Sequence, residues 1–125
     1  MKKIFCLIIF LLNLPIVHAL SLNKIDSSIE SKEQAISFSF DNQAATPKVF
    51  AVGNDLIVDF FDITNATNQN QFTFRSGYIR EVSIASVGTR IRIMLIGAAN
   101  YKYQILQNNN VVKFSFFDQI SSSLI

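Results

Sequence analysis

Apolar and polar residues alternate one by one along much of this chain, and a period of two admits few folds. In Ile36-Ser37-Phe38-Ser39-Phe40, three apolar side chains fall on one face of an extended strand and two serines on the other. Arg90 to Leu95 repeats the pattern, with Ile91, Ile93 and Leu95 facing in and Arg90 and Arg92 facing out. Arg92, read as an outward side chain, is expected to matter little for stability. Val112, Phe114 and Phe116 share a face opposite Lys113 and Ser115; Tyr101, Tyr103 and Ile105 share one opposite Lys102 and Gln104. Tyr78 to Ala85 alternates too, with a slip of phase between Ile79 and Val82. Leu56 to Phe61 is a nearly continuous apolar run broken by Asp59, the pattern of a strand covered on both faces.

The breaks between these runs have turn chemistry. Asn108-Asn109-Asn110 joins the last two runs, and Asn tolerates left-handed backbone angles, which predicts a hairpin. Val87-Gly88-Thr89 reads as a tight turn, and Pro47 holds Lys48 to Ala51 extended. Thr64 to Gln71 is polar and without period, a surface loop. A first strand is expected at Leu20 to Ile25. Asp26 to Gln34 has mixed helical composition and reads equally well as an irregular link; residues from Asp118 onward read as a frayed tail. About seven short strands with turns at this spacing predict an all-β fold, a small sandwich or barrel. A membrane barrel fits poorly, because its strands need roughly nine to eleven residues and most runs here are shorter.

The N-terminus follows a different plan. Lys2 and Lys3 precede an unbroken apolar run from Ile4 to Leu12; Pro15 ends the segment, and Val17-His18-Ala19 offers small residues for a signal peptidase. A spanning helix needs about 20 apolar residues, roughly twice what this run supplies. The reading is a signal peptide, residues 1–19, cleaved after Ala19, with Cys6 too early to be a lipoprotein cysteine.

Removal of that leader changes the available chemistry. Cys6 and His18 are the sole Cys and His of the chain, and both leave with it. Two of the eleven Lys and Arg leave as well, so nine remain against nine Asp and Glu, and the sequence pI of 8.8 describes only the precursor. A chain of zero net charge has no electrostatic footprint for nucleic acid. Without His or Cys, nucleophilic triads and ordinary zinc sites lack their essential groups, so no cofactor or metal is expected. Asp59 and Asp62 point to opposite faces of a regular strand, and Asp55 is expected in solvent at the strand's start, which leaves no carboxylate pair suited to glycosidase chemistry. Asp59 is expected to accept backbone hydrogen bonds or to pair with an Arg. The four Gly are isolated and form no phosphate-cradling loop, and Asn65-Ala66-Thr67, a glycosylation sequon in form, reads as loop composition. An enzyme is not expected. Core volume comes from Phe, with Phe38, Phe40, Phe60, Phe114 and Phe116 read as its centre.

The order of segments resembles the AMIN domain, specifically the copy near the N-terminus of type IV pilus secretins. Leu20 to Asp26 resembles the family's opening strand, Ile36 to Phe40 its second strand, and Pro47-Lys48-Val49-Phe50 the segment after it. Leu56-Ile57-Val58-Asp59-Phe60 is the closest match, an apolar triplet followed by Asp and another apolar residue. Tyr78 to Val82, Thr89 to Leu95 with a Tyr after it (Tyr101 or Tyr103), and Asn109 to Val112 follow in the family's order; Asp55 departs from it, standing where a basic residue is common. The resemblance implies a β-sandwich of two antiparallel sheets over residues 20–117, a periplasmic location and binding to peptidoglycan. In secretins such a domain tethers the outer-membrane channel to the cell wall. A stand-alone AMIN protein and a shortened secretin are both compatible with it. The alternative is an envelope module that binds a secretin or another envelope protein rather than glycan. The expected contact surface is the basic face of Arg90 and Arg92, with Arg80 and Tyr101 beside it. Guanidinium groups suit the carboxylates of stem peptides, and aromatic rings cover sugars.

Overall fold

The computed structural model describes residues 20–118; the expected leader, residues 1–19, and the tail beyond Asp118 lie outside the described residues. Ten strands follow in order: β1 Leu20–Glu30, β2 Glu33–Phe40, β3 Lys48–Val52, β4 Asp55–Phe61, β5 Ile63–Asn65, β6 Gln71–Thr73, β7 Glu81–Val87, β8 Arg90–Leu95, β9 Lys102–Asn108 and β10 Val111–Phe117. They form two five-stranded sheets, ordered β5-β1-β2-β10-β9 and β3-β4-β8-β7-β6. All pairs are antiparallel except the short parallel pair of β1 with β5. The expected sandwich is the fold observed.

The alternating pattern decides which side chains fill the space between the sheets. Ile36, Phe38 and Phe40 from β2 meet Val112, Phe114 and Phe116 from β10 on one layer. Leu56, Val58 and Phe60 from β4 and Ile91, Ile93 and Leu95 from β8 supply the other. Phe60 bridges the layers, its ring centroid 4.9 Å from Phe40 and 6.0 Å from Phe38. Phe38 meets Phe114 edge-on at 5.8 Å, an arrangement favoured by the ring quadrupole. All five Phe expected at the centre of the core are there.

Three local expectations are corrected. Asp26 to Gln34 is no irregular link: β1 runs on to Glu30, and a two-residue turn with Ser31 at φ 60° returns the chain into β2. Eight-residue pairing along β2 outweighs the helical composition of this stretch. The Tyr78 to Ala85 run enters its strand only at Glu81, because the Ile79 backbone is bonded elsewhere, as described below. Tyr101 is not part of the strand that carries Tyr103 and Ile105; it follows a single 3-10 turn at Ala98–Asn100 and precedes β9.

The two expected turns form as read. Asn109 sits at φ 54° between β9 and β10, and Gly88 at φ 62° between β7 and β8. The polar Thr64 to Gln71 segment gives its ends to β5 and β6, and the rest is organised by Asn65. The Asn65 side-chain oxygen accepts from the Thr67 amide at 3.0 Å, and its amide nitrogen donates to the Gln69 carbonyl at 2.8 Å. The sequon asparagine is thus engaged in its own loop.

Candidate functional site

Pairing register builds a mixed cationic and aromatic surface on the outer face of the second sheet. Across β3, β4 and β8, Lys48 stands opposite Asp59 and Asp59 opposite Arg92. One step along, Phe50 stands opposite Ile57 and Ile57 opposite Met94; at the other end Phe61 stands opposite Arg90. Ile57 is buried but lies outside the core cluster, flanked by these two partners on the outer face. The expectation that Leu56 to Phe61 is covered on both faces therefore holds through Phe60, by core on one side and by this surface layer on the other.

Asp59 organises the cations. Its side chain is 1% exposed, and its two carboxylate oxygens accept from Arg92 Nε at 2.9 Å and Arg92 Nη2 at 3.0 Å. Arg90 Nη1 stands 3.8 Å from the same carboxylate. The side-on, two-bond geometry is the strong form of an Arg–carboxylate contact. Hydrogen bonding by Arg92 holds the Asp59 carboxyl below its ordinary range, against the opposing effect of burial; the charges of Arg92, Arg90 and Lys48 add to it. The same bond raises the Arg92 pKa. One carboxylate among three cations leaves the cluster with a surplus of positive charge.

Aromatic rings flank the guanidinium groups. Arg92 lies over Phe50 at 5.6 Å from its centroid, Lys48 over the same ring at 5.7 Å, and Arg90 over Phe61 at 5.9 Å. These distances fall within the range of cation–π attraction. Phe61 remains 46% exposed. Arg90 and Arg92 are each about one-third exposed, so a ligand can reach them. The assembly presents oriented donors beside flat apolar rings, which suits a ligand carrying both carboxylates and sugar faces.

The four residues expected to form the site do not converge. Arg90 and Arg92 share the Asp59 cluster, whereas Arg80 precedes the far end of β7 and its Nη2 donates to the Arg75 carbonyl at 2.7 Å. Tyr101 lies beyond the Leu95 end of β8, its ring stacked on Tyr78 at 4.9 Å and packed against the core. Asp55, expected in solvent, instead accepts from the Gly97 amide at 2.9 Å and ties β4 to the chain after β8. Sequence reasoning missed Lys48, Phe50 and Phe61. The signal was present, since Lys48 and Phe50 are two apart, as are Asp59 and Phe61, and each pair must share a face. Among the described residues no group of three His, Cys, Asp or Glu could hold a metal ion.

The AMIN domain model matches residues 24–116, nearly the whole span from β1 to β10. The chain belongs to the AMIN domain family. AMIN domains are non-catalytic, peptidoglycan-binding modules of periplasmic proteins. A comparison with curated proteins gave no match. Within this AMIN domain the Asp59 cluster joins β4 to the strand that carries Arg90 and Arg92.

Proposed function

We propose that this AMIN domain is a non-catalytic cell-wall-anchoring module that works in the periplasm after cleavage of residues 1–19, associated with a type IV pilus secretin or its assembly. The observation that carries the glycan-binding reading is the Asp59 cluster. A buried carboxylate fixes Arg92, holds Arg90 nearby and leaves both guanidinium edges partly exposed beside Phe50 and Phe61. Stem-peptide carboxylates would meet the guanidinium groups and sugar rings would cover the Phe faces. Exposed charge contacts are individually weak and screened by salt, so binding is modest and falls as ionic strength rises. The secretin association rests on the resemblance of the ordered segments to the secretin copy of the domain.

The test is retention on purified, protein-free sacculi. The double change Lys48→Ala with Arg90→Ala removes two cations but keeps the Arg92–Asp59 pair. Its retention should drop several-fold at low salt while its melting temperature stays close to that of the parent. Full retention by the folded double variant would move the contact off this face. A parent chain that does not sediment with sacculi would favour a module that binds envelope proteins. Intact mass of the exported protein should place its first residue at Leu20; recovery of the uncleaved chain in the inner membrane would overturn the leader assignment.

A further inference from the structure

Among the described residues, one of the four sheet edges in this sandwich lacks protection. Edge strands attract other strands through their unpaired backbone groups, and proteins blunt them with shortness, charge or proline. β5 and β6 have three residues each, and β3 is a five-residue strand introduced by Pro47 and Lys48. β9 has seven residues, no proline and no charge after Lys102. It is exposed along its whole length, with Leu106 55% exposed and Tyr103 and Ile105 38% each.

Two independent features of β9 coincide on the same residues. The two-residue turn to β10 closes on Asn108 and Val111, and such a turn requires that pair to be hydrogen-bonded. Alternation along an antiparallel ladder then turns the backbone N–H and C=O of Tyr103, Ile105 and Gln107 away from β10, toward the open side. Among the described residues no backbone group hydrogen-bonds to the backbone of β9 from that side. Only the Gln107 side chain is engaged by the link after β2, donating to the Ala44 carbonyl and accepting from Thr46 Oγ1 at 3.4 Å. The side chains of the same three residues share the inner face, because they stand opposite the buried Phe116, Phe114 and Val112. Tyr103 lies 6.0 Å from Phe114 and 6.1 Å from Phe116, so the aromatic layer of the core runs out to the edge and ends there uncovered.

We propose that β9 pairs antiparallel with β9 of a second copy of this chain, about a two-fold axis at Ile105, joining two five-stranded sheets into one of ten. The strand is self-complementary in that register. Ile105 is its central residue, so all seven positions find a partner. Tyr103 meets Gln107, Gln104 meets Leu106, and Lys102 meets Asn108, so no two like charges stand opposite each other. The three outward-pointing positions supply about six new backbone hydrogen bonds. The exposed Tyr103–Ile105 row meets its own copy and extends the apolar layer across the axis.

Sedimentation velocity on the chain purified from cells should show a mass twice that of one chain, reverting to one chain on dilution. Like charges directly opposite one another destabilise a strand pair. Ile105→Lys and Ile105→Glu should therefore each sediment as single chains, and an equimolar mixture of the two should recover the doubled mass. Amide exchange at Tyr103, Ile105 and Gln107 should be slow in the dimer and fast in the single chain. A parent chain that stays single at every concentration overturns the proposal, as does a dimer that survives both charged variants. Slow exchange of those amides in a single chain also overturns it, and would place the chain's own residues on this edge.

Discussion

Asp59 on β4 and Arg92 on β8, thirty-three residues apart in sequence, form a two-bond ion pair in which the carboxylate is buried and the guanidinium stands over it at the surface. The pair is asymmetric: Arg92 keeps contact with water, whereas the Asp59 side chain is 1% exposed. Loss of one partner from a buried pair is costly because it strands the other charge. Arg92→Ala should therefore lower the melting temperature by several degrees, more than an outward Arg alone would lead one to expect. Arg90→Ala, which removes only the longer contact at 3.8 Å, should shift it by about one degree or less. Thermal melts of the two variants side by side check this. Equal shifts would show that the bidentate geometry carries no special weight.

The same pair gives acid sensitivity with a definite sign. Asp59 is held below the ordinary carboxylate range in the folded chain, chiefly by its hydrogen bonds from Arg92. The unfolded chain therefore takes up this proton at a higher pH than the folded chain does. The stabilisation is fully present above the unfolded carboxylate value of about 3.9 and is lost as the pH falls below it toward the depressed folded value. Urea unfolding measured from pH 6 downward should show stability falling more steeply in the parent than in Asp59→Asn. Parallel acid limbs would rule out Asp59 as the group responsible.

Gln34 offers a separate test, of how the two sheets are tied together. Its buried side-chain amide donates to the Ile79 carbonyl at 2.8 Å and to Ser27 Oγ at 2.9 Å, and accepts from the Ile79 amide at 2.8 Å. A single side chain on β2 thus occupies the Ile79 backbone as a neighbouring strand would. Gly77 makes room for it: a Cβ there would fall 2.5 Å from Gln34 Cδ, and Gly77 has φ 109°. A free glutamine end could swing aside, but three hydrogen bonds hold this one. Gln34→Ala should cost about 1–3 kcal/mol through the unpaired Ile79 groups. Gly77→Ala should also destabilise, and the double variant should lose less than the sum of the two. Denaturant midpoints for the three variants decide it; strict additivity would separate Gly77 from Gln34.

Core and surface positions within the second sheet should differ sharply. Ile93 is fully buried at the centre of β8, and Ile93→Ala should cost about 2–5 kcal/mol through lost transfer energy and a residual cavity. Val52, at the end of β3, is exposed, and Val52→Ala should stay within about 0.5 kcal/mol. Equilibrium unfolding in urea measures both. Comparable losses would mean that the strand faces are assigned wrongly.

The sequence by itself determined the inner faces of the alternating strands and two of the turns between them. Inward placement of Ile91, Ile93 and Leu95, the five central Phe, the Asn109 hairpin and the Gly88 turn all follow from a local period and from backbone preferences that neighbouring residues impose. Tertiary structure decided which strands are neighbours, and with that the site. Nothing near Asp59 in sequence names Arg92 as its partner, and the alternative of backbone hydrogen bonds remained open until β4 and β8 were set side by side. Likewise, Arg80 and Tyr101 share residue chemistry with the cationic face, but pairing register sends them to the far end of the sheet. Gln34 looked like the end of a polar link, and only the approach of Ile79, forty-five residues away, makes its amide a surrogate strand. The reason is one of range: alternation is fixed by adjacent residues, whereas pairing depends on contacts formed only once the chain has closed on itself.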